Sequence, residues 1–309
     1  MKIIKTLSNC YNKLSDFGKL LMLIILLLIT VVIFKKIIPV KEGMVTTDTT
    51  FSFFEGNELY DDFYANIYDH LVYNNIKNSY EVGIIINSST PNETSIIADI
   101  GCGTGHHVAE LSSKNLNVIG IDISPSMIEK AKTTNTSDAS KFRVGDGLDN
   151  YLFTYNSLTH ILCLYFTIYY MKDKMKFFYN CMNWLMPGGY LIVHLVNKHK
   201  FDPILPPGNP LYIVSPQKYA KKRITNTKIS FNDFIYNSNF NLKDDIATFN
   251  EKFKFNDGRI RKQEQKLYME DLDNISNMAQ DAGFLVHAKI DMVKCAYENQ
   301  YIYVFVKPS

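Results

Sequence analysis

The five cysteines of this chain (Cys10, Cys102, Cys163, Cys181 and Cys295) form no C-x-x-C pair. That excludes a cysteine zinc finger and a disulfide scaffold, and it places the folded part in a reducing compartment. Surplus charge is also missing. Lys and Arg number 33 against 31 Asp and Glu, a formal net charge of +2, which leaves no electrostatic footprint for a DNA duplex. There is no G-x-x-x-x-G-K-[ST] loop, no internal repeat, and no spacing of His, Cys or acids that suggests a metal site. What is present is a globular composition, 46% hydrophobic and 21% charged over 309 residues. That is enough for one large domain or two small ones.

One run is apolar almost throughout. Leu20 to Phe34 (LLMLIILLLITVVIF) has only Thr30 as a polar residue. As a helix it would span roughly 22 Å, short of a hydrocarbon core of about 30 Å. Phe17, Ile37, Ile38 and Val40 extend it, and Lys19, Lys35 and Lys36 can snorkel outward. The downstream KKIIPVKEG offers no small-x-small cleavage site, so a transmembrane anchor through residues 17–40 is expected rather than a cleaved signal peptide. A helix that enters only one leaflet is the alternative. The expected division is a membrane anchor over 1–40, a linker over 41–55 that starts polar and small (KEGMVTTDTT), and a folded domain over 56–309.

Within that domain, Tyr60 to Tyr73 has a helical period that sets Tyr60, Tyr64 and Tyr68 on one face. From residue 96, strand and helix patterns alternate. Strands are expected at 96–101, 117–122, 141–146, 158–166 and 190–196. Helices are expected at 105–114, from Ser124-Pro125 through Lys132, and over 172–186 before Pro187-Gly188-Gly189. This predicts an α/β fold with a parallel sheet. Residues 198–270 break the pattern: loop and short helix to 224, then alternating runs at 227–236, 243–255 and 259–270. They predict an antiparallel β insertion with a turn at Asn256-Asp257-Gly258. The insertion is expected to act as a substrate lid, with the turn region affecting acceptor turnover. A helix at 271–282 and strands at 284–291 and 300–306 close the chain.

The first strand runs into Asp99-Ile-Gly101-Cys-Gly103-Thr-Gly105. Glycines at the carboxyl end of a strand let the backbone turn tightly and let a ligand approach the main chain. The spacing is G-x-G-x-G behind an acid, not the G-x-G-x-x-G of a dinucleotide fingerprint. Asp122 ends the second strand, where a carboxylate can take both hydroxyls of a ribose. Asp146 ends the third, where one can accept from the exocyclic amine of adenine. One such Asp alone reads as a helix cap; three at successive strand ends read as a nucleoside site.

These residues resemble class I S-adenosylmethionine-dependent methyltransferases, through IADIGCGTGHHV (97–108), VIGIDISPSMIEKAK (118–132), FRVGDGLD (142–149) and LMPGGYLIVH (185–194). The resemblance implies a Rossmann-like seven-stranded sheet whose last strand is antiparallel, with S-adenosyl-L-methionine as cofactor. It implies that the 101–105 loop packs on the methionine part, Asp122 binds the ribose, Asp146 contacts the adenine and Ile123 lies against its ring. The cofactor-binding residues expected are Asp99, Gly101, Cys102, Gly103, Gly105, Asp122, Ile123, Asp146, Gly147 and Cys163.

No Asp/Asn-Pro-Pro-Tyr/Phe follows the fourth strand. The segment Cys163-Leu-Tyr-Phe-Thr-Ile-Tyr-Tyr170 instead resembles the small-molecule branch, which includes amino-sugar N-methyltransferases. In that branch an N-terminal helix closes over the cofactor with a Tyr, and Tyr68 is the first choice here. Tyr169 and His199 complete the expected catalytic set; His194 alternates with core positions and reads as buried structure. The function expected is a membrane-anchored methyltransferase, catalytic domain facing the cytosol, acting on a small-molecule or sugar-like N or O acceptor. Protein or RNA methylation is the alternative within the class. A cofactor-binding scaffold without catalysis is the alternative outside it.

Overall fold

A computed structural model describes residues 15–37, 50–208 and 216–309. Short apolar runs form the strands β2 (Ile96–Ile100), β3 (Asn117–Asp122), β4 (Phe142–Val144), β5 (Leu158–Cys163) and β6 (Leu185–Val196). Neighbours among them pair in parallel. With β11 (Leu285–Met292) and β12 (Tyr297–Val306) they make a seven-stranded sheet in the order β11-β12-β6-β5-β2-β3-β4. β12 runs antiparallel to both its neighbours. The chain builds outward from β2 to β4, then returns to the other side of β2 as β5. That reversal opens a crevice at the carboxyl ends of β2 and β5, where the Gly101–Gly105 loop lies.

The helices on this sheet are α2 (Asp62–Val72), α3 (Asn75–Ser89), α4 (His106–Ser112), α5 (Pro125–Thr134), the single turn α6 (Thr167–Tyr170), α7 (Lys174–Trp184) and α8 (Leu272–Asp281), counting the N-terminal helix below as α1. α5 starts as its sequence dictates: Ser124 Oγ accepts from Met127 N and Pro125 holds the first turn. α7 stops two residues short of the expected Met186. Leu185 already pairs with Leu158, and β6 runs through Pro187, a residue that cannot continue a helix. Phe177, Phe178 and Trp184 of α7 are fully buried, each worth about 1.5–3 kcal/mol.

The insertion forms a second sheet, in the order β1-β10-β9-β8-β7. Its strands are β7 (Asn226–Ser230), β8 (Phe234–Lys243), β9 (Ile246–Phe255) and β10 (Ile260–Tyr268), edged by β1 (Phe51–Glu55) parallel to β10. The run expected over 243–255 thus divides into the end of β8 and all of β9. The hairpin at Asp244-Asp245, with Asp244 at φ +55, carries no glycine to announce it. Residues 51–55 are likewise a strand rather than the end of a linker, while 41–49 lie outside the described residues. The inner face of this sheet buries Tyr236, Phe240, Phe249, Phe253 and Leu267. Two buried cations fix it to the elements packed on the seven-stranded sheet. Lys174 Nζ donates to Tyr268 O at 2.7 Å and pairs with Glu270 at 2.6 Å. Arg261 pairs at 2.6 Å with Asp61, whose other oxygen caps α2 by accepting from Tyr64 N.

Residues 1–48 and 49–309 are separate compact units. In the first, α1 (Asp16–Ile37) carries the apolar run. Phe17, Leu20, Leu21, Leu23, Ile24, Ile25 and Leu27 are exposed. Among the described residues no helix is long and apolar enough to cross a membrane, so the transmembrane span expected through 17–40 is not supported. The side chains of 31–37 and the whole of 38–40 lie outside the described residues.

Candidate active site

The glycine loop is shaped by backbone demands. Gly101 N and Cys102 N both donate to Ile121 O, at 2.7 and 2.9 Å, which folds the end of β2 onto β3. Gly101 has φ +76, and a Cβ there would overlap Thr167. Gly105 has φ +86 and its Cβ would meet the Phe142 ring at 2.6 Å. Gly103 differs: φ is +54, but a Cβ would lie in ordinary contact, 3.7 Å from Tyr68, in the space between the loop and α2. Thr104 Oγ1 donates to Asp69 of α2 at 2.6 Å, tying the loop to the helix above it.

A cleft of about 290 Å³ follows the carboxyl ends of β2, β3 and β4. Asp122 sits in its wall. One carboxylate oxygen accepts from Gly103 N and the other from Ser124 N, both at 2.9 Å. Burial raises its pKa and those backbone donors oppose the rise. Ile123 is 41% exposed on the same wall, an apolar surface available to a ring. Asp146 lies at the mouth, exposed, with one oxygen accepting from Leu148 N. At Gly147 a Cβ would come within 2.8 Å of Ile100.

Behind the loop is a smaller cavity of about 80 Å³. Asp99 lines it, buried, with Oδ2 lacking any hydrogen-bond partner. Burial pushes its pKa up to about 6, against the pull of His107 and with the help of Asp122 and Glu81. An unpaired buried carboxylate is costly. A cationic group arriving in this cavity would offset that cost, and the α-ammonium of S-adenosylmethionine is such a group. The residues therefore fit the cofactor: Asp99 for the ammonium, Asp122 for the ribose, Ile123 and Asp146 for the adenine.

Next to the cleft lies a pocket lined by aromatic rings. Tyr64 and Tyr68 reach it from α2, Tyr60 from the turn just before that helix rather than from its face, and Tyr165, Phe166 and Tyr170 from the segment after β5. Phe249, Gln265 and Leu267 roof it from β9 and β10. Tyr68 and Tyr165 line the cleft, the small cavity and this pocket alike, so they stand where the three spaces meet. Tyr165 has φ +52, a strained conformation for a tyrosine of the kind that gathers at functional sites. Beyond the pocket, Glu251 is 2% exposed and accepts from four side chains. These are Tyr236 at 2.6 Å, Gln263 at 2.7 Å, Gln265 at 2.8 Å and Tyr64 at 3.1 Å. Burial raises its pKa while the four donors pull it back.

Three expected site residues are elsewhere. Tyr169 is fully buried in the core, where its hydroxyl accepts from Val196 N at 2.7 Å. The one-turn helix α6 sends Tyr169 inward and its neighbour Tyr170 to the pocket, where Tyr170 donates to Gln265 at 2.5 Å. Cys163 is fully buried at the end of β5, and burial drives its thiol pKa up. His199 is exposed on an outer groove with Asn74 and Tyr297, not in the aromatic pocket. Cys102 lies in the loop, its sulfur packed toward Gly120. His194 is fully buried, as its alternation suggested. Tyr165, Tyr170, Gln265 and Glu251 were not foreseen. The first two lie inside the 163–170 segment and could have been weighed there; the last two have only strand alternation around them.

Residues 97–189 match a family model described as "Methyltransferase domain". With the site geometry, that match makes the class plain: this is an S-adenosylmethionine-dependent methyltransferase. Solved structures add the fold. A S-adenosylmethionine-dependent methyltransferase from Clostridium acetobutylicum superposes with a TM-score of 0.60 at 18% identity, over 80% of this chain and 99% of that one. The CcbJ methyltransferase from Streptomyces caelestis gives 0.60 at 14%, over 81% and 98%. The sugar N-methyltransferase KedS8 from a Streptoalloteichus species gives 0.55 at 18%, over 76% and 88%. No curated protein matches the chain.

Proposed function

We propose that this methyltransferase acts on a small-molecule, sugar-like amine. The observation that carries the reading is the chemistry of the pocket beside the cofactor cleft. Among the described residues its lining is largely aromatic and includes no Lys or Arg, and Asp202 is its one charged residue. Glu251 adds a buried carboxylate one phenol away, through Tyr64. Ring faces and a carboxylate favour a cationic guest, and the roof of β9 and β10 suits a small acceptor better than a polymer. The structural likeness to a sugar N-methyltransferase agrees with this.

S-adenosylmethionine supplies an electrophilic methyl group on a sulfonium. The chain's part is alignment, which in well-oriented systems is worth up to about 7–11 kcal/mol. Tyr68 and Tyr165, at the junction of cleft and pocket, hold the acceptor nitrogen in line and exclude water. An amine that arrives protonated must first lose a proton. Tyr64 Oη can take that proton as its own passes to the Glu251 carboxylate to which it already donates. In the transfer the new N–C bond forms as the C–S bond breaks, and the bonding pair leaves with sulfur.

The test is a panel of amines, matched alcohols, a peptide and an RNA, each offered with radiolabelled S-adenosylmethionine. Label should pass to small amines alone. Transfer only to the peptide or the RNA would refute the reading.

Attachment to a membrane surface through residues 17–40 is the reading that the seven exposed apolar side chains of α1 support, and a catalytic domain in the cytosol is the one that its free buried cysteines support. Asn87, Asn92, Asn135 and Asn274 begin N-x-S/T sequences. In a eukaryotic host none of them should carry a glycan; a glycan on any one puts the domain in the lumen.

A further inference from the structure

The small cavity behind the glycine loop has a second charged wall. Lys77 and Glu81 lie one helical turn apart on α3, and both line it. Lys77 is 6% exposed and Glu81 0%. Lys77 Nζ donates to Glu81 Oε2 at 2.8 Å and lies 4.7 Å from the centre of the Tyr165 ring. Among the described residues Glu81 is its one hydrogen-bond acceptor, so N–H donors of a buried ammonium remain for a guest. Glu81 is held in place from behind: His107 Nε2 is 2.9 Å from Oε2, and His194 Nδ1 is 3.7 Å from Oε1.

The charges around this cavity sort into two ends. Despite burial, Lys77 and His107 keep Glu81 ionised, with its pKa lowered to about 2. Burial, and then Lys77, lower the His194 pKa to about 3, so that ring is neutral. Lys77 and Glu81 therefore cancel, and the unpartnered Asp99 carboxylate faces the same space. A zwitterion completes the set: a carboxylate for the spare donors of Lys77 and an ammonium for Asp99. The cavity joins the main cleft past Tyr68, Gly101, Gly103 and Tyr165. The amino-acid end of a ligand whose ribose lies at Asp122 can thus enter it.

We propose that Lys77 is the residue that binds the α-carboxylate of the cofactor and selects for its intact amino-acid end, with Glu81, His107 and His194 as positioning residues behind it. This rests on S-adenosylmethionine as the cofactor. The test is calorimetry on the full chain with three probes: S-adenosylhomocysteine, decarboxylated S-adenosylmethionine and 5′-methylthioadenosine, which lacks the amino-acid end. Lys77→Met leaves Glu81 buried without its cation, so the matched variant is Lys77→Met with Glu81→Gln. In that variant S-adenosylhomocysteine should bind roughly tenfold to 150-fold more weakly. The other two probes should bind as they do to the wild type. If the variant keeps the wild-type preference for S-adenosylhomocysteine over the decarboxylated ligand, Lys77 does not read the carboxylate. If 5′-methylthioadenosine binding falls as far, the cluster only holds the loop, and the proposal is overturned. If the wild type binds none of the three, the cofactor assignment itself fails.

Discussion

The cofactor cleft and the proposed acceptor pocket meet at Tyr68 and Tyr165 but are built in opposite ways. The cleft takes its parts from the ends of three consecutive strands, between Asp99 and Gly147, and works through backbone N–H groups, positive-φ glycines and carboxylates. The pocket gathers side chains from α2, from the segment after β5, from residues 201–206 and from three strands of the second sheet. It works through ring faces and one buried acid. A site made of backbone requirements fixes residue types at fixed spacings. A site made of side-chain surfaces needs the whole fold to bring it together.

The contrast is broken most severely at Gly101. Gly101→Val should abolish measurable binding of S-adenosylhomocysteine while circular dichroism shows the fold retained. The substitution adds a side chain where φ is +76 and where Thr167 already fills the space. The backbone strain alone is of order 1–3 kcal/mol. Binding within a few-fold of the wild type would mean the loop does not touch the cofactor.

A smaller effect is expected from acidity. Asp99 has a pKa near 6 because burial penalises its charge. Below that value it is neutral and cannot pair with an ammonium. Cofactor affinity should therefore fall about tenfold from pH 7 to pH 5, and Asp99→Asn should flatten the profile at the weaker level. The sign reverses for the ligand-free protein. A raised carboxylate pKa costs stability above its value, so this contribution is favourable below the unfolded pKa near 4 and is lost as pH rises to about 6. Affinity that does not change between pH 5 and 7 would show that Asp99 faces no cation.

These differences explain what could be read from the sequence. The glycine spacing, the acids at 99, 122 and 146, and the alternation of strand and helix each report a local backbone requirement, so they survive in one dimension. Tyr169 and Tyr170 do not: both are tyrosines in one segment, and only the direction of the single turn α6 tells them apart. Glu251 looks like any acid in an alternating strand until Tyr64, Tyr236, Gln263 and Gln265 converge on it. The strand β1 was lost because five residues paired to a partner more than 200 positions away leave no local signal.

The two tyrosines sharpen the comparison further. In Tyr169→Phe, Val196 N–H loses its hydroxyl acceptor inside the core, costing about 1–3 kcal/mol in denaturant melts. Acceptor turnover should stay close to the wild type. Tyr170→Phe should do the reverse, raising the acceptor KM while stability changes little, because Tyr170 is 38% exposed and its hydroxyl faces Gln265 at the pocket. An exchange of the two phenotypes would return Tyr169 to the site.

The smallest effect is expected at the Asn256-Asp257-Gly258 turn, where the sequence suggested an influence on acceptor turnover. Along β9 and β10 the pocket-facing residues Phe249, Gln265 and Leu267 lie at the end away from this turn. Phe249 is six residues from Phe255, roughly 20 Å along a strand. The Arg259–Asp257 ion pair at the turn is exposed on both sides, and exposed pairs of this kind contribute little. Replacing the loop by a two-residue Asn-Gly connection preserves the pairing of Phe253 with Arg261. Both acceptor turnover and cofactor affinity should then match the wild type. If the pocket takes the acceptor as proposed, the sheet meets it only through the face and far end of β9 and β10, and a shortened turn has no path to it. If acceptor turnover drops while cofactor affinity holds, the turn reaches the acceptor after all, and the pocket extends beyond the rings that line it here.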